Sequence, residues 1–303
     1  MIRLKPILLL LLATSFIYCK KETLTITGNQ APYYNKVPTI KVQNYVNRIY
    51  IDLIGREPLD AEMDADVDYL RKNELSKASR ENIISRLQND TSFVAGDGSY
   101  KKAYSQYMYN LAKIRTIEGA SDDEINALVG PLYFELKLDS INGDWEEYNK
   151  TKIQIDKYEA VLKLNDEFYL GTITYDQMFK RMVYNGVYDK INMNSFNFVN
   201  ATFDNLLWRY PTHEEFLLGF DIVEYNKPNL FFSKLCTNKK DYVDALTDTA
   251  EFYESMIIWA YRTLLAREPS SVETSAVLEE YILKKNIRTI QQYIIETDEY
   301  ANF

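Results

Sequence analysis

One six-residue pattern, recurring three times at fixed offsets, constrains this chain more than any other feature. Tyr50 is followed by Leu53, Ile54, Arg56, Pro58 and Glu62. Phe203 is followed by Leu206, Leu207, Arg209, Pro211 and Glu215, and Tyr261 by Leu264, Leu265, Arg267, Pro269 and Glu273. A spacing kept in this way marks one supersecondary unit used repeatedly, with a core that neighbouring units share. An aromatic with apolar residues at +3 and +4 lies on a single face of a helix. The proline at +8 is expected to end that helix, since the residue before a proline is pushed out of the helical region. A second helix should then begin at once. Thr212 and Ser270 stand three residues before Glu215 and Glu273, the spacing at which hydroxyl and carboxylate cap a helix start reciprocally. The first copy has Leu59 there, which leaves Asp60 as its alternative cap.

Apolar residues continue at helical spacing after each Glu: Val67 and Leu70, then Phe216, Leu217, Phe220 and Val223, then Val277, Leu278, Tyr281 and Ile282. The copies also end alike. Leu87 precedes Phe93, Leu246 precedes Phe252, and Ile294 precedes Tyr300, each by six residues. A fourth ending of this form runs from Met182 to Tyr188, and its head is not recognisable in the sequence. These patterns predict an all-α, multi-helix domain of Pro-cornered helical repeats at 42–98, 201–252 and 253–303, with a helical insertion at 99–200. Gly and Pro total only 18 of 303 residues, too few for a fold built on tight turns.

The start of the chain is of another kind. Arg3 and Lys5 precede an apolar run from Pro6 to Tyr18, which ends at Cys19-Lys20-Lys21. The run is short for a bilayer crossing and suits the apolar part of an export signal. It resembles the signals of bacterial lipoproteins, although Phe16-Ile17-Tyr18 is bulkier than those signals favour before the cysteine. That resemblance implies a signal peptide at 1–18, lipidation of Cys19, a tether over 19–41 and, from the two lysines, sorting to the outer membrane. Removing residues 1–18 leaves 33 Lys and Arg against 44 Asp and Glu, a net charge of −11. A chain this acidic is repelled by phosphate backbones, which argues against nucleic-acid partners. Membrane attachment would rest on the acyl chains, and Cys236 would have no intrachain disulfide partner.

The repeated arginine sits at each corner, where its fork can bind helix-end carbonyls or the capping glutamate. An arginine–glutamate pair at the same register three times reads as structural rather than catalytic. If buried and paired, Arg267 should cost the third copy about 2–4 kcal/mol on truncation. Other chemistry is sparse. His213 is the only histidine, so any triad or multi-histidine site would have to use it, and it falls in a corner. Cys236 reads as a small buried hydrophobe. Asp64, Asp66 and Asp68 lack the glycine and the closing glutamate of a calcium loop. Gly96-Asp97-Gly98 is a turn, not a phosphate cradle. Asp144-Trp145-Glu146-Glu147-Tyr148 reads as a helix start, with a sugar-binding cluster as the sharper alternative.

The run from Tyr261 to Ser270, with Glu273 and the ending Thr297-Asp298-Glu299-Tyr300, resembles the helical module of phycobilisome linker proteins. It also resembles related modules of extracellular bacterial proteins. Arg48 to Pro58 carries the same likeness in the first copy, and the resemblance covers under half of the mature chain. Modules of this type are assembly proteins, which implies a non-catalytic scaffold or accessory subunit with an envelope protein as partner and no cofactor. The competing expectations are a lipoprotein that binds glycan or another small ligand through the insertion, and a hydrolase with two facing acids.

Overall fold

The computed structural model describes residues 36–303. The segments expected to be signal peptide and tether, with Cys19, lie outside the described residues up to residue 35. Sixteen helices and one short hairpin make up the described chain, which is all-α apart from two three-residue strands. The first copy is α1 (Thr39–Ile54), α2 (Asp60–Lys72) and α3 (Lys77–Asn89). Helix α1 thus starts inside the segment read as tether, because Val37 is already buried and its carbonyl accepts from Arg71. The insertion is α4 (Tyr100–Thr116), α5 (Asp122–Asn142), α6 (Trp145–Leu162), α7 (Leu164–Leu170), α8 (Tyr175–Val183) and α9 (Gly186–Asn192). The second copy is α10 (Ser195–Leu207), α11 (His213–Tyr225), the hairpin β1 (Asn229–Phe231) with β2 (Lys234–Cys236), and α12 (Lys239–Thr247). The third is α13 (Ala250–Leu265), α14 (Ser271–Lys284), α15 (Ile287–Ile295) and the single-turn α16 (Asp298–Ala301).

The missing head of the fourth ending is α4. Tyr109 is buried, Ala112 lies at +3 and Arg115 at +6, and a full capping box of Ser121 and Glu124 opens α5. The corner is three residues longer than in the other copies and holds no proline, which is why the motif is broken in the sequence. Its ending matches the others closely. Asn185 caps α9 and accepts from the N–H of buried Tyr188, as Thr249 does from Phe252 and Thr297 from Tyr300. Relative to its sisters, this copy has a longer second helix, α5, and an added helix, α6, that packs back along it.

The four units share one continuous apolar core and close on themselves. Helix α1 packs on α4, α8 on α12, α10 on α13, and α15 returns to α3. Tyr300 completes the closure: its hydroxyl donates to Asp52 (2.7 Å), and its ring lies 4.0 Å from the guanidinium of Arg48. Burial and the Asp52 contact push the Tyr300 hydroxyl well above its ordinary pKa, so it stays protonated and donates. The tyrosine surplus is largely core here, with the rings of Tyr45, Tyr50, Tyr104, Tyr109, Tyr175 and Tyr242 essentially inaccessible.

Two details of the motif differ from expectation. The head helices end at Ile54, Leu207 and Leu265, well before Pro58, Pro211 and Pro269. A left-handed residue at +5 terminates each one: Gly55 (φ 73°), Trp208 (φ 55°) and Ala266 (φ 54°). The proline instead precedes the cap of the next helix, where its fixed φ stiffens the approach. Secondly, Phe93 does not close the first copy, being 82% exposed while Phe252 and Tyr300 are buried. Residues 91–98 loop out before α4 begins, so the chain reaches the equivalent place only at Ser99–Tyr100.

Candidate functional site

The three corners that keep the proline build the same clamp from the backbone outward, whereas Arg115 of the fourth copy donates to the carbonyls of Asp204 and Asn205 and leaves Glu124 to Ser121. The left-handed residue turns the chain so that the arginine at +6 doubles back over its own head aromatic. The Arg56 guanidinium lies 5.6 Å from the Tyr50 ring, Arg209 5.0 Å from Phe203 and Arg267 5.2 Å from Tyr261. The two terminal nitrogens then grip the capping glutamate in a two-pronged pair. These distances are 2.7 and 2.8 Å for Arg56–Glu62, 2.7 Å twice for Arg209–Glu215, and 3.0 and 2.7 Å for Arg267–Glu273. One of those nitrogens also donates to the carbonyl of the next residue: Glu57, Tyr210 or Glu268. The same glutamates accept the N-cap N–H of Leu59, Thr212 and Ser270, each at 2.7 Å. Asp60 is the first residue of α2 and does not cap it. Glu62 supplies half of a box whose other half Leu59 cannot make.

A second acid completes every clamp, and sequence reading missed it. Arg267 binds Glu299 through Nε and Nη2 (2.7 and 2.6 Å), and Arg209 binds Glu251 in the same way. Both acids stand one residue before the closing aromatic, Tyr300 or Phe252, so the signal was present in the two endings. The first copy has Ser92 at that place. There Asp97, from the looped segment, takes over at 2.9 Å from Arg56 Nε. The Gly96-Asp97-Gly98 turn thus presents a carboxylate to the corner.

The electrostatics follow from this geometry. Burial raises the carboxyl of Glu62, but Arg56, the Tyr100 hydroxyl and the Leu59 N–H outweigh it and hold the pKa at about 2. Arg209 is the main cause of the same value at Glu215, and Arg267 at Glu273. The arginines are raised in turn. Such carboxylates are fixed as anions and committed to their arginine, the opposite of a general acid, whose pKa must be raised. Asp52 is raised by burial, yet it meets Tyr300 and Arg48 rather than a second acid. Arg267 is also not buried. Its side chain is 34% exposed, against 25% for Arg56, whose partners are more enclosed.

The remaining candidates are placed as follows. His213 is exposed in the first turn of α11. Cys236 is buried at the end of β2, its thiol raised by burial. Asp66 is buried in α2 and binds Tyr50 and Arg86, while Asp64 and Asp68 are exposed. Asp144 caps α6, and Trp145 and Tyr148 pack edge to face beyond it. Among the described residues, no cluster of His, Cys, Asp and Glu is placed to hold a metal ion.

Concavities are shallow hollows open to solvent. One of about 430 Å³ lies between the fourth-copy corner and α9, bounded by Glu118, Ile125 and Val187. Another of about 350 Å³ lies between α11 and the β-hairpin, bounded by Leu218 and Phe232. Two more meet along α8 at Arg181, Tyr184 and Lys240. A run of exposed apolar residues lies on α5–α6. Phe134, Leu138 and Ile141 form a stripe at i, i+4 and i+7, exposed by 64, 41 and 70%, with Trp145 following at the turn. No helix among the described residues is long and apolar enough to cross a membrane. No family model, curated protein or solved structure matches this chain.

Proposed function

We propose that this protein is a non-catalytic lipoprotein of the bacterial outer membrane, anchored through Cys19, that serves as a scaffold or accessory subunit of a membrane-associated complex. The observation that carries the reading is the α5–α6 hairpin. Its outer part is an addition to an otherwise regular repeat, and beyond Val129 on α5 and before Ile155 on α6 neither helix has a buried residue. Over that length the two helices pack on each other and leave an apolar stripe uncovered. A contiguous apolar patch on a protein surface marks an interaction site, and insertions within repeats commonly form the binding face. The corners support the same reading from the other side, because their charged groups are spent on holding the fold. The resemblance to linker modules, which are assembly proteins, points in the same direction.

Photo-crosslinking residues placed at 134, 138 and 141 in the native envelope test this. One stoichiometric membrane-protein partner, captured from all three positions and not from exposed Glu279 on α14, is the expected result. Crosslinks scattered over unrelated proteins, or none, would sink the scaffold reading. The lipid anchor is tested apart from this by metabolic acyl labelling, which should be lost in Cys19→Ser.

A further inference from the structure

We propose that the groove between α6, α8 and α12 is a binding site for an acidic saccharide. It consists of two adjoining hollows of about 280 and 350 Å³ that share Arg181, Tyr184 and Lys240. Four cations line it, Lys157, Lys180, Arg181 and Lys240, against two acids, Asp156 and Asp244. Partners just outside do not remove the excess. Glu167 neutralises Arg181, and Lys152 neutralises Asp156. Lys180 (2.6 Å) and Lys240 (2.7 Å) both converge on Asp244, so one carboxylate serves two ammonium groups. Lys157 places its ammonium 4.2 Å from the centroid of the Tyr184 ring instead of on a carboxylate. Asp241 also acts on Lys240 from outside the groove, which leaves a local surplus of one positive charge in a chain whose formal net charge is −9.

That surplus selects an anion, and the remaining walls select its kind. The two hollows together exceed what a bare inorganic anion fills, and each is near the lower end of small-molecule sites. Tyr184, Ile153 and Ala160 offer apolar surface for the face of a ring. Gln177 and the Asp244 carboxylate offer hydrogen-bonding groups for hydroxyls. A carboxylate or phosphate on the ligand would lie between Lys157 and Lys240. The site is separate from the α5–α6 stripe, so it stands or falls independently of the scaffold reading.

Isothermal titration of the full-length protein with a galacturonate trisaccharide, glucose 6-phosphate, neutral maltotriose and inorganic phosphate provides the test. We expect one of the two anionic saccharides to bind, more weakly as salt rises, with affinity at least tenfold lower in Lys157→Gln/Lys240→Gln. The better of the two identifies the acid group. An unchanged melting temperature in the double variant ties that loss to the groove. Maltotriose binding as tightly would overturn the role of charge, and phosphate binding as tightly would overturn the saccharide. Binding of none of them, or binding that the double variant leaves intact, overturns the site itself.

Discussion

The first and third corners share the six motif positions, differing only in Ile54 against Leu265, and the same bidentate arginine–glutamate grip, yet they sit in different surroundings. At the first, Arg56, Glu62 and Asp97 are 25, 12 and 17% exposed, and Tyr100 adds a hydroxyl to Glu62 at 2.7 Å. At the third, Glu299 is 52% exposed and no tyrosine hydroxyl reaches Glu273. The motif therefore sets the local clamp, and the neighbours it is folded against set how much the clamp is worth. An ion pair in water contributes little, whereas losing one partner of an enclosed pair leaves a charge without compensation.

The largest expected difference follows directly. Arg56→Ala strands Glu62 and Asp97 together and should cost about 2–4 kcal/mol. Arg267→Ala should cost about 1 kcal/mol or less, because solvent screens what remains. Chemical denaturation of the two variants checks this, and equal losses would falsify the account of the corners. The sequence-based figure for Arg267 assumed burial, which the third corner does not provide.

Acid titration probes the same contrast. The clamp glutamates have folded pKa values of about 2 against an ordinary 4.5. A depressed carboxylate contributes stability that is fully present above its unfolded pKa and is lost as pH falls through its folded pKa. Stability should therefore decline between about pH 4.5 and pH 2. Glu62→Gln should flatten that decline more than Glu273→Gln does, measured as unfolding free energy against pH. Equal flattening would make exposure irrelevant, and the reverse order would overturn the comparison.

A smaller effect is expected at the left-handed residues. A Cβ on Gly55 would lie 2.7 Å from the Tyr107 ring, on a backbone that already disfavours side chains. Gly55→Ala should destabilise by about 1–2 kcal/mol from the backbone alone, with the ring contact adding to it. Ala266→Gly should be neutral or stabilising by up to about 1 kcal/mol. Melting temperatures moving in the same direction for both would break the comparison. Trp208 occupies this position in the second copy, and its ring lies 3.8 Å from Arg115 and 4.6 Å from Arg262, contacts that offset the backbone cost.

The smallest prediction sharpens the first corner. Leu59→Ser completes the half-built capping box and should add about 0.5–1 kcal/mol. The control, Ser270→Ala, should remove a similar amount from the third copy. A Leu59→Ser variant no more stable than the parent would mean that the clamp, not the cap, fixes the start of α2.

Much of this architecture was legible without coordinates, because it is local. The aromatic stripe, the capping boxes of Thr212 and Ser270 and the helix-rich composition are decided within a few residues by helical periodicity and backbone hydrogen bonding. The arginine–glutamate pairing is local too, since six residues bridge one tight corner. The proline was misjudged for a physical reason. It can end a helix, but a left-handed residue three positions earlier had already done so, and αL conformation at Trp208 or Ala266 has no signature as plain as glycine's.

What only the tertiary structure decided involves residues far apart in the chain. Asp97 replaces the acid that Ser92 cannot supply, across a loop whose length no pattern reveals. The fourth copy was hidden because three added residues and a lost proline broke its register, while its buried positions stayed in place. The closure of Tyr300 onto Arg48 and Asp52, and the meeting of Lys157, Arg181 and Lys240 along one groove, depend on how helices from separate copies pack. Sequence alone specified the unit and its corners, because those contacts close over a few residues. The partners that surround each corner, and the surfaces left uncovered, were specified by the packing of one unit against the next.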